Sequence, residues 1–308
     1  MDDIVYALYT ETALEEETRL LAARNTGLYR STDGGKSWQN LFDSMKLDAP
    51  LPALAIALNP ELNRGHEIYV GVPGGIAISE NGGENWKLHV FRSPQPIVSA
   101  IAVSPALSSD GILLVATVED GVFRSADKGY SWSIWNFGLT DLRVYCMALS
   151  PDFVEDEILF VGTESGIFRS TNGGRAWREI PFPMESAPVN CIALPSDFAD
   201  SGTLFAGTEA NGLFISDNAG NSWNSVNIGP TKGAVNQIII PDDYSQRGEI
   251  LCVFDHGLFQ SLDFGETWHP RQGHEEIPVG ITCATAPTGL GPDSNIILGL
   301  QDGNIISV

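Results

Sequence analysis

The chain has 308 residues, 43% of them hydrophobic, with 32 glycines and a formal charge of −22 from 39 acidic against 17 basic side chains. This balance suits a folded, turn-rich protein and excludes disorder, while a field of that sign repels phosphate backbones and anionic lipid, which excludes nucleic acid as a partner. No run approaches the roughly 20 apolar residues of a membrane span, and Met1-Asp2-Asp3-Ile4 is the reverse of a basic secretory leader, so the reading is a soluble chain without membrane insertion, with the cytoplasm as default compartment.

In chain order, residues 4–9 read as an apolar strand that precedes a turn, Ser31-Thr32-Asp33-Gly34-Gly35-Lys36-Ser37-Trp38. The same turn returns at 79–86, 125–132, 170–177, 216–223 and 261–268, and its closing tryptophans Trp38, Trp86, Trp132, Trp177, Trp223 and Trp268 stand 48, 46, 45, 46 and 45 residues apart. A period this regular, in a chain with no helical periodicity, is the signature of a propeller or solenoid, an architecture that escapes the size limit of a single core. Within the period that starts at Pro188, residues 189–194, 203–208 and 212–216 read as three short strands, and Trp223 opens a fourth. After the sixth turn, segments 282–284, 295–299 and 304–308 supply only three strands. The expected fold is therefore all-β, one seven-bladed β-propeller over residues 1–308. Its blades are four-stranded and antiparallel, its last blade is three-stranded, and it closes by blade packing without strand exchange.

The turn has its own chemistry. Its third position is Asp33, Asn81, Asp127, Asn172, Asn218 and Asp263, all with a side-chain oxygen that accepts backbone N–H bonds in a tight corner. Glycine two residues later tolerates positive φ, and the tryptophan buries a large surface between sheets. A calcium loop is the competing reading of Asp33-Gly34-Gly35. Half of the turns carry uncharged Asn, however, and none has the closing Glu of an EF-hand, so no metal and no cofactor are expected. Cys146, Cys191, Cys252 and Cys283 lie in apolar runs without metal spacing and read as buried free thiols.

The recurring aliphatic-aromatic-Arg-Ser-x-Asp-x-Gly-x-x-Trp pattern resembles the Asp-box, or BNR, repeat of sialidases, sortilin-type receptors, xyloglucan-cleaving propellers and the photosystem II assembly factor. That resemblance implies that the box turns rim one face and that binding or catalysis uses the opposite face. The loops between second and third strands belong there, and five of the seven bear a carboxylate, through Glu119-Asp120, Glu164, Glu209, Asp255-His256 and Asp302. Such a group could attract a cation or a basic partner, or could be ordinary solvated turn chemistry. The loops between blades add Phe91-Arg92, Trp135-Asn136-Phe137, Phe182-Pro183-Met184 and His269-Pro270-Arg271, which read either as a contact surface or as packing between blades.

Enzymatic readings find less support. A sialidase type needs an arginine cluster, yet Arg30, Arg124 and Arg169 occupy one equivalent place beside the box serine and are repeat features. A xyloglucanase-type cleft lies between two propellers, and one is present. Gly34-Gly35-Lys36-Ser37 lacks the first glycine of a phosphate loop, and His66, His89, His256, His269 and His274 have no metalloprotease spacing. The basic patch of the photosystem factor has no counterpart in so acidic a chain. The expected function is a non-enzymatic protein-interaction scaffold, monomeric within a complex. It would present Glu119, Asp120, Glu164, Glu209, Asp255, His256, Asp302, Trp135 and Phe137 to a protein partner with basic character. The alternative is a glycan-directed protein, either a glycoside hydrolase or a lectin.

Overall fold

Each repeat period folds into a meander whose strands are too short to be stable alone and so bury their faces on neighbouring meanders. In the computed structural model the described residues are 3–12, 18–61, 67–91, 95–184, 187–228, 233–271, 280–291 and 293–308. They form six four-stranded antiparallel sheets and a seventh of three strands, each with its strands in sequence order. These are the blades of a seven-bladed β-propeller. Blade 5 is representative, with Val189–Ala193, Leu204–Thr208, Leu213–Ser216 and Asn224–Ser225 as its strands. No helix among the described residues is long and apolar enough to cross a membrane.

The chain divides into two compact units. The first contains Met1–Ile134, Thr282–Pro287 and Ile296–Ser307, and the second contains Trp135–Ile281, Thr288–Asn295 and Val308. Blade 7 meets blade 1 within the first unit. Thr282 Oγ1 donates to the Val5 carbonyl at 2.5 Å, and a Cβ on Gly299 would fall 2.6 Å from Val5 Cγ1. Among the described residues no strand from the N-terminus joins the last sheet, and packing and side-chain hydrogen bonds hold this junction.

The cores lie between successive sheets. In the second unit one core joins Cys191, Phe205 and Val235 to Phe254, Phe259 and Trp268. Approach there is close enough that a Cβ on Gly207 would stand 2.5 Å from both Cys191 Sγ and Val235 Cγ1. All four cysteines are free and buried. Burial pushes the Cys146 and Cys283 thiols up to about 12 and raises Cys191 and Cys252 as well. The native chain should therefore give no reaction with Ellman's reagent, whereas the denatured chain should titrate four thiols. One thiol reacting before unfolding would contradict this burial.

Every box corner repeats one hydrogen-bond scheme. The serine hydroxyl donates to the Asp or Asn Oδ1 and accepts the backbone N–H four residues on, at 2.8 to 2.9 Å in all six corners. The Asp or Asn Oδ1 likewise accepts the N–H four residues on, at 2.8 to 2.9 Å. Where the residue is Asp, its second oxygen takes a hydroxyl, from Ser37 at 2.6 Å, Ser131 at 2.6 Å and Thr267 at 2.5 Å. Asn218 makes the converse bond, its Nδ2 donating to Ser222 Oγ at 2.7 Å. The carboxylate oxygens are thus committed to donors of their own turn. The fourth position is left-handed as well as the fifth, including the non-glycine residues Lys128, Ala219 and Phe264 at φ of 58, 56 and 62°.

These bonds hold the box carboxyls below their ordinary values. For Asp33 the Ser37 hydroxyl is the largest cause, while for Asp127 and Asp263 burial pushes upward and is outweighed by hydrogen bonds from Ser131 and Thr267. A depressed folded pKa means that the stabilisation is complete above the ordinary carboxylate range and is lost as pH falls through and below it. The triple variant Asp33→Asn/Asp127→Asn/Asp263→Asn should keep its neutral-pH melting temperature, since Asn already serves in three corners. Below about pH 4 its melting temperature should fall less steeply than that of the parent, and parallel acid limbs would show that the corners do not titrate.

The few helical residues of this all-β fold are confined to single turns. Single turns Leu107–Asp110, Phe153–Asp156, Phe198–Ser201 and Tyr244–Arg247 separate the first and second strands of blades 3 to 6, and a 3-10 turn spans Leu41–Met45. Each α-turn drops one large side chain into the core, Leu107, Phe153, Phe198 or Tyr244. Arginines on the third strand reach across to the next corner, with Arg30 Nη2 on the Gly82 carbonyl at 2.7 Å and Arg169 Nη1 on the Ala219 carbonyl at 2.8 Å.

Candidate binding surfaces

The strand order places the second-to-third-strand hairpins at the opposite strand ends from the box corners, and the acidic tips sit on these hairpins. In the first unit Glu119 is exposed, and the Asp120 N–H is held by Thr117 Oγ1 at 3.1 Å. Asp302 turns back to accept the N–H and side-chain amide of Asn304 at 2.9 and 2.7 Å. In the second unit Glu209 is exposed, while Asp255 is paired with the imidazole of His256. Glu164 is the most tied of the group. It pairs with Arg143 and accepts the Tyr145 hydroxyl at 3.4 Å. Beside it, burial pushes the Asp141 carboxyl up, but the Arg143 backbone N–H and both groups of Ser165 outweigh that and hold it below its ordinary value.

Trp135 and Phe137 belong elsewhere. Their carbonyls accept the Trp177 indole N–H at 2.7 Å and the Trp177 backbone N–H at 2.8 Å, and the Arg175 guanidinium lies 5.7 Å from the Trp135 ring centre. They therefore stand at the box corner of blade 4, away from the hairpin tips of that blade. Phe137 is 80% exposed, whereas Phe91 and Ile228, also five residues past a box tryptophan, are buried. Of the other loop residues, Arg271 is buried, Phe182 packs on Phe214 and Trp223, and Arg92 lies outside the described residues.

A surface not foreseen from the sequence lies within the first unit. The outer strand of blade 2, Lys87–Val90, and that of blade 3, Ser133–Ile134, flank a groove of about 690 Å³ with the blade 3 corner at one end. Phe91 and Phe123 stack at its floor with ring centres 4.6 Å apart, and Trp132 meets Phe91 edge-on. Tyr130 and Ile134 are exposed in its walls, with His89 edge-on to Tyr130, while the exposed Leu88 and Val90 pair with Ala77 and Gly75 and so turn their side chains to the other face of the sheet. Its end is clasped by Glu80, which accepts the Tyr130 hydroxyl at 2.6 Å and the Lys87 ammonium at 3.0 Å, and these two donors, Tyr130 first, hold Glu80 below its ordinary pKa. A sequence signal existed at the corner, because Tyr130 stands where other boxes carry Lys36, Glu84 and Arg175, and Ile134 where other outer strands carry Asn40, Glu179 and Ser225.

Glycoside hydrolysis by a carboxyl pair needs one acid with a raised pKa. Among the described residues the carboxyls whose pKa moves, in Asp33, Glu61, Glu80, Asp127, Asp141 and Asp263, move downward. Among the described residues no three His, Cys, Asp or Glu side chains are grouped to hold a metal ion.

A family model described as the BNR/Asp-box repeat matches residues 29–40. No curated protein matches the chain. Among solved structures, the GH74 xyloglucanase from Xanthomonas campestris is similar at 15% identity and a TM-score of 0.75, over 99% of this chain and 52% of that one. The extracellular domain of a putative one-component system from B. thetaiotaomicron matches at 17% identity and a TM-score of 0.71, over 99% of this chain and 38% of that one. A structure described as YCF48 bound to D1 peptide matches at 15% identity and a TM-score of 0.67, over 99% of this chain and 91% of that one. The chain thus spans about half the length of the xyloglucanase and less of the sensor domain. At these identities the likeness is one of fold.

Proposed function

For a seven-bladed propeller of Asp-box repeats, we propose a non-enzymatic role in which residues 1–308 act as one protein-binding domain that recruits a partner with basic and apolar features. The observation that carries this reading is a solvent-open, aromatic-floored groove on a chain of formal charge −22. Exposed apolar and aromatic groups mark protein contact surfaces, and the surrounding field selects for positive charge. Exposed Glu119 and Glu209 at the hairpin tips add charge that a basic partner can neutralise. A propeller of similar fold, YCF48, is described with a bound peptide, so the architecture is compatible with this use.

The test is affinity capture from a lysate of the source cells, comparing the intact chain with Glu119→Gln/Glu209→Gln and with Trp135→Ala/Phe137→Ala at low and high salt. Partners retained by the intact chain should weaken with salt and with the Gln substitutions. The same proteins recovered at equal yield from every variant and at both salt concentrations would overturn the proposal.

A glycan-directed reading has one local observation in its favour, the Tyr145 hydroxyl on Glu164 beside Arg143. Burial, and then the charge of Glu164, raise the Tyr145 pKa, the wrong direction for a phenolate nucleophile. Turnover of fluorogenic glycosides that is abolished by Tyr145→Phe would favour this second reading over the first.

A further inference from the structure

We propose that Asn211, at the tip of the blade 5 hairpin, is a modification site at which the chain converts its own side-chain amide to a carboxylate. The sequence holds three Asn-Gly pairs, Asn81-Gly82, Asn172-Gly173 and Asn211-Gly212. Such a pair is a reactive setting for an amide, because glycine has no Cβ to screen its backbone nitrogen from the side-chain carbonyl carbon one residue before it. Attack by that nitrogen on Cγ closes a succinimide ring. The nitrogen gives up its proton, the Cγ–Nδ2 bond breaks and ammonia leaves. Water then opens the ring, at Cγ to give aspartate with the main chain restored, or at the asparagine backbone carbonyl to give isoaspartate. One water is consumed and one ammonia released, with no oxidant or cofactor.

The fold separates the three pairs. In two box corners the amide is held. Asn81 Oδ1 accepts the Ser79 hydroxyl at 3.1 Å and the Asn85 N–H at 2.9 Å, and Asn172 Oδ1 accepts the Ser170 hydroxyl and the Ala176 N–H, both at 2.9 Å. The Gly173 nitrogen is committed as well, donating to the Glu157 carbonyl at 3.0 Å. Rotation of either amide toward the next nitrogen has to break these bonds. Asn211 has no such restraint. It is exposed, and no hydrogen bond to its side chain occurs among the described residues. Thr208 fixes the main chain on either side of the reacting atoms. Its hydroxyl accepts the Asn211 N–H at 3.0 Å, and its N–H and hydroxyl donate to the Gly212 carbonyl at 3.0 and 2.9 Å. The Gly212 N–H meets no acceptor among the described residues, whereas Gly166, in the hairpin of blade 4, donates to Thr163 Oγ1 at 3.2 Å. Gly212 has a φ of 75°, and apart from its chain neighbours no atom stands within 4 Å of where its Cβ would be, so the ring has room to close. The product sets a second carboxylate on the tip that carries exposed Glu209.

The experiment holds the folded chain, and separately the guanidinium-denatured chain, at mildly acidic and mildly alkaline pH. Samples taken over time are digested, and mass spectrometry separates the asparagine, aspartate and isoaspartate forms of each Asn-Gly peptide. In the folded chain Asn211 should convert at least about tenfold faster than Asn81 or Asn172, since each of those must first give up two hydrogen bonds. Conversion should quicken at alkaline pH, because the attacking nitrogen must lose its proton, and isoaspartate should be part of the product. In the denatured chain the three pairs should convert at similar rates. Asn211→Gln, whose ring would be one carbon larger, should abolish the more acidic form that appears on native isoelectric focusing. Equal rates at the three pairs in the folded chain, an Asn211 amide that survives while folded, or a lead for Asn211 that persists after denaturation would each overturn the proposal. The chemistry does not depend on the protein-binding reading. Conversion of Asn211 alongside partner capture that ignores Glu119→Gln/Glu209→Gln, Trp135→Ala/Phe137→Ala and salt would remove that reading and leave this site standing.

Discussion

Trp177→Ala is expected to lower the unfolding free energy by about 3–5 kcal/mol, read as a fall in the urea midpoint at unchanged slope. Trp177 is 5% exposed, and deletion of its indole leaves a cavity that the surrounding sheets cannot close. Its role also differs from that of three other corner tryptophans. Trp38, Trp132 and Trp268 donate their indole N–H to the glycine carbonyl of their own turn, at 3.0, 2.9 and 3.0 Å. Trp177 donates instead to Trp135 at 2.7 Å and so ties the preceding loop to the corner. Trp177→Phe should keep most of the buried area and lose about 1 kcal/mol for the hydrogen bond. Trp223→Phe should cost less than Trp177→Phe, because the Trp223 indole N–H is buried with no partner among the described residues. A midpoint for Trp177→Ala within error of the parent would show that the corner tryptophans are not the wedges between blades.

The second large effect is expected at Arg271, where alanine should cost about 3 kcal/mol or more, since hydrogen bonds to a charged donor are worth about 1.5–3 kcal/mol each and are not additive. The buried guanidinium donates to Gln260 Oε1 at 2.7 Å and to the carbonyls of Leu290, Gly291 and Ser294 at 3.1, 3.0 and 2.7 Å. One side chain thereby anchors the loop that precedes the second strand of blade 7. Arg271→Lys should rescue only part of the loss, because an ammonium on a flexible stem cannot serve three carbonyls in the fixed fork of a guanidinium. Amide exchange across residues 288–291 should quicken in both variants, more in alanine. Full recovery in lysine would mean that charge alone, rather than the fork, holds the loop.

Arg271 also illustrates where reading from sequence stops. As a cation in a loop between blades it looks like part of a contact surface, and nothing local reports that three carbonyls, 19 to 23 residues away, surround it. Phe137 is the reverse case. It shares the register of Phe91 and Ile228, yet those two are buried and Phe137 faces solvent. The short helical turns were missed because a single turn has no periodicity. Their signal was a recurring proline followed by an aromatic residue, as in Pro151-Asp152-Phe153 and Pro241-Asp242-Asp243-Tyr244.

What the chain determines by itself is everything that repeats locally. The corner is built from donors and acceptors within eight residues, the strand alternation from neighbours two apart, and the number of blades from the count of such periods. Within a corner each Asp has a hydroxyl four residues later, with Asp33, Asp127 and Asp263 facing Ser37, Ser131 and Thr267, while Asn218 faces Ser222 with the donor reversed. Which exposed groups converge on a surface was decided only by the tertiary structure. His89, Phe91, Tyr130 and Ile134 line one groove because the outer strands of blades 2 and 3 flank a common gap. The acidic tips, by contrast, resolve into exposed Glu119 and Glu209 and committed Glu164, because partners such as Arg143 and Tyr145 arrive from another strand or loop. Local bonding specifies the repeat, whereas a binding surface is made where repeats meet, at separations that no short window of sequence spans.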